Sequence, residues 1–184
     1  RNTDHYNSTY LATGPYVGTP GIEFLARFAG AYGNALKVSV CGSATAYEQE
    51  AVTTVNDSAV SVNDTTITVT SGTNINVGDI LAFSTTAATN DYDDGQEYEV
   101  TAVSTNDITI KKKGSTGGLT RVITNGSNVR RRWQYYDQVS GAPGTSPDVL
   151  AAGGSNDELH FVVIDTDGSI NGTKDEVLEV YELS

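Results

Sequence analysis

The middle of the chain constrains the fold most, because it consists of short β-prone runs separated by turn clusters. Between residues 51 and 124 the runs recur at roughly 10-residue spacing, which is typical of a small barrel or sandwich. They read TTITVT, DILAFST, QEYEVTAV, DITIKKK and LTRVIT, with turn residues at Gly78-Asp79 and Asn106-Asp107. The pattern predicts a small all-β barrel of five strands over residues 51–125, inserted into a parent domain made of residues 1–50 and 126–184.

The flanking segments predict that this parent domain is α+β. Thr19 can cap a helix, Pro20 suits its first turn, and apolar residues follow at helical spacing. Period-2 alternation predicts a strand at 36–41, and the runs LHFVVID and VLEVYEL predict strands at 159–164 and 177–183. The second of these is apolar on both faces, so we expect it to be central. The prediction is therefore a mixed β-sheet covered by the helix.

Charge and hydropathy narrow the classes of partner. The 184 residues carry a formal net charge of −12, which opposes binding to nucleic acid or to an anionic membrane surface. No apolar run is long enough to span a bilayer. Cys41 is the single cysteine, so no intrachain disulfide is possible. We expect neither nucleic acid nor a membrane as a partner.

The chain lacks the residue sets that catalysis requires. It has two histidines, His5 and His160, and one cysteine, and it contains no G-x-S-x-G, G-x-G-x-x-G or P-loop pattern. The chain therefore lacks the residues and motifs that nucleophilic, hydride-transfer and nucleotide-using chemistries require. The prediction is a protein that is not an enzyme and that uses no cofactor.

One acidic turn is a weak candidate for a metal site. The stretch TNDYDDGQE places Asp91, Asp93 and Asp94 together, and carboxylate oxygens are the ligands that Ca²⁺ prefers. The more ordinary interpretation of such a turn is a solvated hairpin tip.

A second acidic stretch, DTDGSINGTKDE, resembles a calcium loop only in part. Its matches to the first, third, fifth and twelfth positions of an EF-hand are Asp165, Asp167, Ser169 and Glu176. An EF-hand also needs glycine at the sixth position and an apolar residue at the eighth, whereas Ile170 and Gly172 reverse this order. Because both flanks read as strands, we predict a turn joining two strands. A calcium-dependent domain is one hypothesis for function that this stretch leaves open.

Positive charge is concentrated in two short runs, Lys111–Lys113 and Arg130–Arg132. The candidate contact residues are Arg130, Arg131, Arg132, Trp133, Tyr135 and Tyr136. We predict that they make inter-domain or inter-subunit contacts, with the arginines pairing with carboxylates of the same or a neighbouring subunit. Plain solvation and polyanion binding are the alternatives.

The aromatic residues of this set support a different hypothesis. Trp133, Tyr135 and Tyr136 can stack on pyranose rings if they lie exposed on one surface. The alternative function is therefore a β-rich carbohydrate-binding or adhesin-type module.

The parent segments resemble the tail sheath proteins of contractile-tailed bacteriophages. The resemblance is carried, in family order, by EFLARFAGAYGNALKVSVCGSA, APGTSPDVLAAGGSNDELHFVVID and DGSINGTKDEVLEVYELS. It covers about 100 residues in two blocks and does not extend to the predicted barrel.

The resemblance implies a structural subunit without enzyme activity. Sheath subunits stack as helical rings around a rigid tail tube and contract to drive the tube through the host envelope. The matched segments correspond to the middle region, so the exchanging arms and the tube-contacting surface are expected outside this chain, which is then a fragment. The implied partners are other sheath subunits, and the fragment itself is expected to be monomeric. The implied locations are the virion tail and, during assembly, the host cytoplasm.

Overall fold

The computed structural model of the protein describes residues 30–92 and 95–184. The described residues form two compact units, one of residues 30–40 with Leu159–Leu183 and the other of Cys41–Glu158 with Ser184. The fold is mostly β, with one three-stranded and one six-stranded antiparallel sheet and only short helices. The predicted helix that begins at Thr19 lies outside the described residues.

The strands follow one another along the described chain as β1 (Leu36–Cys41), β2 (Glu48–Thr54), β3 (Thr66–Thr68), β4 (Ile80–Ala87), β5 (Tyr98–Ser104), β6 (Asp107–Lys112), β7 (Ser127–Arg132), β8 (Leu159–Asp165) and β9 (Glu176–Leu183). The helices are α1 (Ala31–Asn34), α2 (Ala44–Tyr47), a 3₁₀ turn (Tyr136–Gln138) and α3 (Pro147–Ala151).

The first unit contains the three-stranded sheet, in the order β1-β8-β9. The prediction that these three segments share a sheet with β8 in its centre is confirmed. The prediction of a mixed sheet is wrong, because the strands are antiparallel. β8 and β9 are joined by a hairpin loop, and a loop this short cannot make the crossover that a parallel pair needs. Their register places Phe161 opposite Tyr181, with the rings stacked at 4.6 Å between centroids.

The second unit contains the six-stranded sheet, in the order β2-β7-β4-β5-β6-β3. Alternation along β6 buries Ile108 and Ile110, while Asp107 is exposed. Tyr98 and Val100 of β5 are buried in the same apolar core. Each large apolar side chain in this core contributes about 2 kcal/mol through its removal from water. The β-prone runs QEYEVTAV and DITIKKK thus form β5 and β6 and bury their apolar side chains in this core.

The described strands do not form the closed barrel that the sequence predicts. In the described residues, the β-pairing between the ends of the edge strands β2 and β3 is limited to one isolated bridge, Val55 to Val69. Two backbone hydrogen bonds flank it, from Asn56 N to Thr68 O and from Thr70 N to Thr54 O, each 2.9 Å long. β3 has three residues, so it offers too few backbone groups to make a ladder that would close the sheet.

One predicted strand is wrong. LTRVIT, residues 119–124, has no strand structure, and its place in the sheet is taken by SNVRRR, which forms β7. Leu119 and Ile123 are buried in the core. Arg121 donates from Nη2 to the backbone oxygens of Phe83 (2.7 Å) and Ser84 (3.1 Å). The segment therefore fastens itself to β4 with a side chain where a strand would use its backbone.

The extent of the six-stranded unit also differs from the predicted domain boundaries. The predicted boundary between residues 50 and 51 falls within β2. β2 pairs with β7, with Glu48 opposite Arg132, so residues on both outer sides of the predicted barrel belong to this sheet. The unit reaches from Cys41 to Glu158.

The turn between β5 and β6 holds a strained residue and allows a first prediction. Thr105 has φ of 55°, a left-handed conformation that a β-branched residue rarely adopts and that glycine takes without steric cost. Its side chain is exposed, so Thr105→Gly removes strain and little packing. We expect the free energy of unfolding to rise by about 0.5–1 kcal/mol in urea titrations. Thr109→Gly, within β6, is the control and should lower the free energy of unfolding by about 1 kcal/mol.

Candidate functional site

The candidate contact residues lie at the end of β7 and just beyond it. β7 is an inner strand, paired with β2 on one side and with β4 on the other. Its position explains why Arg130 and Arg131 are only 5% and 8% exposed. A buried guanidinium must find acceptors within the protein, so the partners of these arginines define the chemistry of the site.

Arg131 is held by the end of the short helix α2 and by a carboxylate. Its guanidinium donates to the backbone oxygens of Thr45 (2.6 Å) and Ala46 (3.2 Å), and its Nη1 lies 3.6 Å from Asp79 Oδ1. Burial raises the pKa of Asp79, although Arg131 and the Asn76 N–H oppose the rise. Arg131 therefore connects β7 to the start of β4 and to α2.

Arg132 begins a larger network that we call the Glu97 cluster: Glu97, Glu48, Lys113, Arg132, Tyr136 and Asp137. Arg132 donates from Nε to Glu48 Oε2 (2.6 Å) and from Nη1 to Glu97 Oε1 (3.0 Å). The other oxygen of Glu97 accepts from the Tyr136 hydroxyl (2.6 Å) and from Lys113 Nζ (3.3 Å). One carboxylate thus accepts from two cations and a phenol.

Lys113 completes the network on its outer side. Its Nζ is 3.0 Å from Asp137 Oδ2 and 3.0 Å from the Tyr136 hydroxyl oxygen. Burial lowers the pKa of Lys113, but Tyr136, Asp137 and Glu97 outweigh burial and raise it. For Asp137, burial raises the pKa, but the hydrogen bonds from Lys113 and Gln138 and the charge of Lys113 together outweigh burial and hold it below the usual value. Both groups are therefore charged across the neutral range.

The ring of Tyr136 contacts both cations of the cluster. Lys113 Nζ lies 4.3 Å and Arg132 Cζ 4.9 Å from its centroid, distances at which cation–π attraction operates. The Tyr136 backbone oxygen accepts a hydrogen bond of 3.1 Å from the Tyr47 hydroxyl. Tyr47 directly precedes β2 and Glu48 begins it, and Arg132 and Tyr136 lie at and just beyond the end of β7. These contacts therefore join the start of β2 to the end of β7.

Arg130 contacts an aromatic ring of the β4–β5 connection. Its Cζ lies 4.7 Å from the centroid of Tyr92. Burial raises the pKa of Tyr92 to about 12, so the hydroxyl stays protonated and donates to the backbone oxygen of Glu50. This contact, like those of Arg131 and Arg132, lies within the six-stranded unit.

The site therefore contains the intrachain form of the predicted pairing. Arg131 and Arg132 pair with carboxylates of the same chain, which was one of the two options for their partners. The Glu97 cluster can hold the start of β2, the residue before β5 and the end of β7 in fixed relative positions. Contacts of these residues with a neighbouring subunit remain a prediction.

Trp133 and Tyr135 are buried, which weakens the carbohydrate hypothesis. They are 6% and 8% exposed, and their rings meet edge to face with 5.7 Å between centroids. A sugar platform needs exposed ring faces, and in this arrangement two of the three aromatic residues proposed for it offer none.

Sequence reasoning did not single out Glu97 as a site residue. Its side chain is 11% exposed at the centre of the cluster. The signal for its pairing is the alternation of Glu97 and Glu99 on one side of the β5–β6 hairpin, with Lys111 and Lys113 on the other. A register shift between Val100 and Ala102 brings Glu99 opposite Lys111. Counting back from the turn without the extra residue in β5, Thr101, pairs Glu99 with the wrong residue of β6.

The acidic turn is described only in part. Asp91 accepts from Thr85 Oγ1 at its carboxylate (2.9 Å) and from Thr85 N at its backbone oxygen (2.8 Å), which closes the turn onto β4. Asp93 and Asp94 lie outside the described residues. Across residues 30–92 and 95–184, no group of three or more His, Cys, Asp or Glu side chains is arranged to hold a metal ion.

The loop that partly resembles an EF-hand is organised around one buried carboxylate. Asp165 Oδ1 accepts from the backbone N–H of Gly168 (3.0 Å) and Ser169 (3.1 Å). Its Oδ2 accepts from Ile170 N (2.8 Å) and Asn171 N (3.1 Å). The carboxylate that would be the first calcium ligand thus serves as the acceptor for four backbone donors, as expected for a turn between two strands.

These bonds predict how the stability of the fold depends on pH. Burial raises the pKa of Asp165, but the four backbone hydrogen bonds outweigh burial and hold it below its usual value of about 3.9. A lowered folded-state pKa gives stability that is present above about pH 3.9 and is lost as the pH falls through the lowered value. Asp165→Asn should therefore lower the melting temperature at pH 7, because its amide nitrogen cannot accept from two of these donors.

The difference from the wild type should be constant above about pH 5 and should narrow below about pH 4. Circular dichroism melts across this range measure it. Asp167→Asn is the matched control, because Asp167 is exposed and accepts only from Ser169 N among the described bonds (2.9 Å). A difference that does not change with pH would contradict the account.

Comparison with protein-family models, with curated proteins and with solved structures finds no match for this chain. Within the part that the structure describes, no helix has the length and apolar character needed to cross a membrane.

Proposed function

We propose that this chain is the outer or middle part of a structural subunit of a phage contractile tail sheath. In full length, the subunit polymerises around the tail tube and contracts to drive the tube through the host envelope. The observation that carries the proposal is that β1, β8 and β9 form one sheet. These strands come from the two sequence blocks that resemble sheath proteins, and the whole six-stranded unit lies between them in the chain.

The Glu97 cluster supports a mechanical role more than a chemical one. Contraction of a sheath requires blocks that stay rigid while the contacts between subunits change from one packing to another. A cluster with three carboxylates, two cations and a phenol that satisfy one another stabilises such a block internally. In this proposal the six-stranded unit moves as one body and decorates the sheath surface.

The partners in this proposal are other copies of the full-length subunit and the tail tube. The tube is contacted by regions outside this chain, and neither nucleic acid nor a membrane is bound. The protein has no enzymatic step, because conformational energy stored at assembly replaces catalysis. It resides in the virion tail, and in the host cytoplasm while tails are assembled.

The test is electron microscopy of the full-length gene product. We expect long hollow tubes with helical order, into which the present chain can be placed as a peripheral density. The present chain alone should remain monomeric at micromolar concentration in light scattering coupled to size exclusion. Full-length protein that stays monomeric under assembly conditions would contradict the sheath proposal. Polymerisation of the chain alone would contradict only the placement of the assembly arms outside it.

A further inference from the structure

We draw no further inference here: the strongest candidate, the apolar side chains that the edge strands of the three-stranded sheet leave 37–45% exposed at Leu36, Val40, Val180, Tyr181 and Leu183, carries nothing because nothing in the described residues shows what covers them.

Discussion

Gly118→Ala is expected to lower the free energy of unfolding of the six-stranded unit by about 3 kcal/mol. A Cβ at this position would lie 2.2 Å from the backbone oxygen of Asp64 and 2.4 Å from that of Asn63. Both obstacles are backbone atoms, and they are held in place by hydrogen bonds from Asn63 N to Leu119 O (2.8 Å) and from Leu119 N to Asp64 O (2.9 Å). The methyl group can be accommodated only by separating two segments that bury Leu119.

Urea titration followed by Trp133 fluorescence measures this loss. Gly141→Ala is the matched control, since a Cβ there meets no atom within 4 Å and the residue has no left-handed φ. We expect the control to change the free energy of unfolding by less than about 0.5 kcal/mol. Equal effects of the two substitutions would show that the close approach at Gly118 is not what stabilises this part of the unit.

Glu97→Gln is expected to cost about 2–3 kcal/mol of unfolding free energy, because it removes the charge that Arg132 and Lys113 share. The glutamine keeps the shape but takes the negative charge out of three hydrogen bonds. Those from Arg132 and Lys113 keep a charged donor, and the one from Tyr136 becomes neutral on both sides. It also places an N–H₂ group against a donor, either the Arg132 guanidinium or the Lys113 ammonium. Each cation keeps one other carboxylate, Glu48 or Asp137, which is why the expected cost is less than for an isolated buried pair.

The control lies two residues further along the chain. Glu99 pairs with Lys111 at 3.0 Å, but the two side chains are 26% and 43% exposed. Solvent screens such a pair, so Glu99→Gln should cost no more than about 0.5 kcal/mol. Chemical denaturation of both variants under identical salt measures the difference. Equal small losses would mean that the Glu97 cluster adds no more than a surface ion pair.

A double-mutant cycle separates the pair from its surroundings. Combining Glu97→Gln with Arg132→Met should give a loss smaller than the sum of the single losses by about 1 kcal/mol or more, because the two residues interact directly. Additive losses would contradict the direct pairing, even if both single variants are destabilised.

The sequence predicted those parts of the fold in which local pattern decides. Alternation identified β1, the runs LHFVVID and VLEVYEL identified β8 and β9, and the two apolar faces of β8 identified it as the central strand. β6 was recognised as the β-prone run DITIKKK beside the turn residues Asn106-Asp107. Each of these inferences needs only neighbouring residues, since a strand in contact with a core must repeat with period two.

The failures concern β7 and the segment before it. LTRVIT has the better β-propensity, yet SNVRRR forms the inner strand. Arginines are acceptable there because Arg131 reaches Thr45 and Ala46, more than 80 residues earlier, and Arg132 reaches Glu48. Propensity cannot report acceptors that distant parts of the chain supply, so the burial of Arg130 and Arg131 beside a half-buried Arg132 could not be foreseen.

For the candidate site, the sequence found the cations and the aromatic residues but not what they bind. Arg130–Arg132 and Tyr136 were singled out by their concentration of charge and aromatic character, whereas Glu97 was not singled out. Its burial depends on the register shift in β5 and on the position of Lys113 across the hairpin. A bulge of one residue changes which charges meet, and no local composition marks it.

The sequence by itself determined that the middle of the chain is built from β-strands, that a central strand lies in the smaller sheet, and that DTDGSINGTKDE forms a turn. These properties follow from periodicity and turn chemistry, which act over a few residues. Only the tertiary structure decided that the larger sheet stays open apart from the bridge between Val55 and Val69, and that the arginines of β7 are held by the same chain. The reason is that strand closure and ion pairing join residues far apart in sequence, whose distances are set by the whole unit.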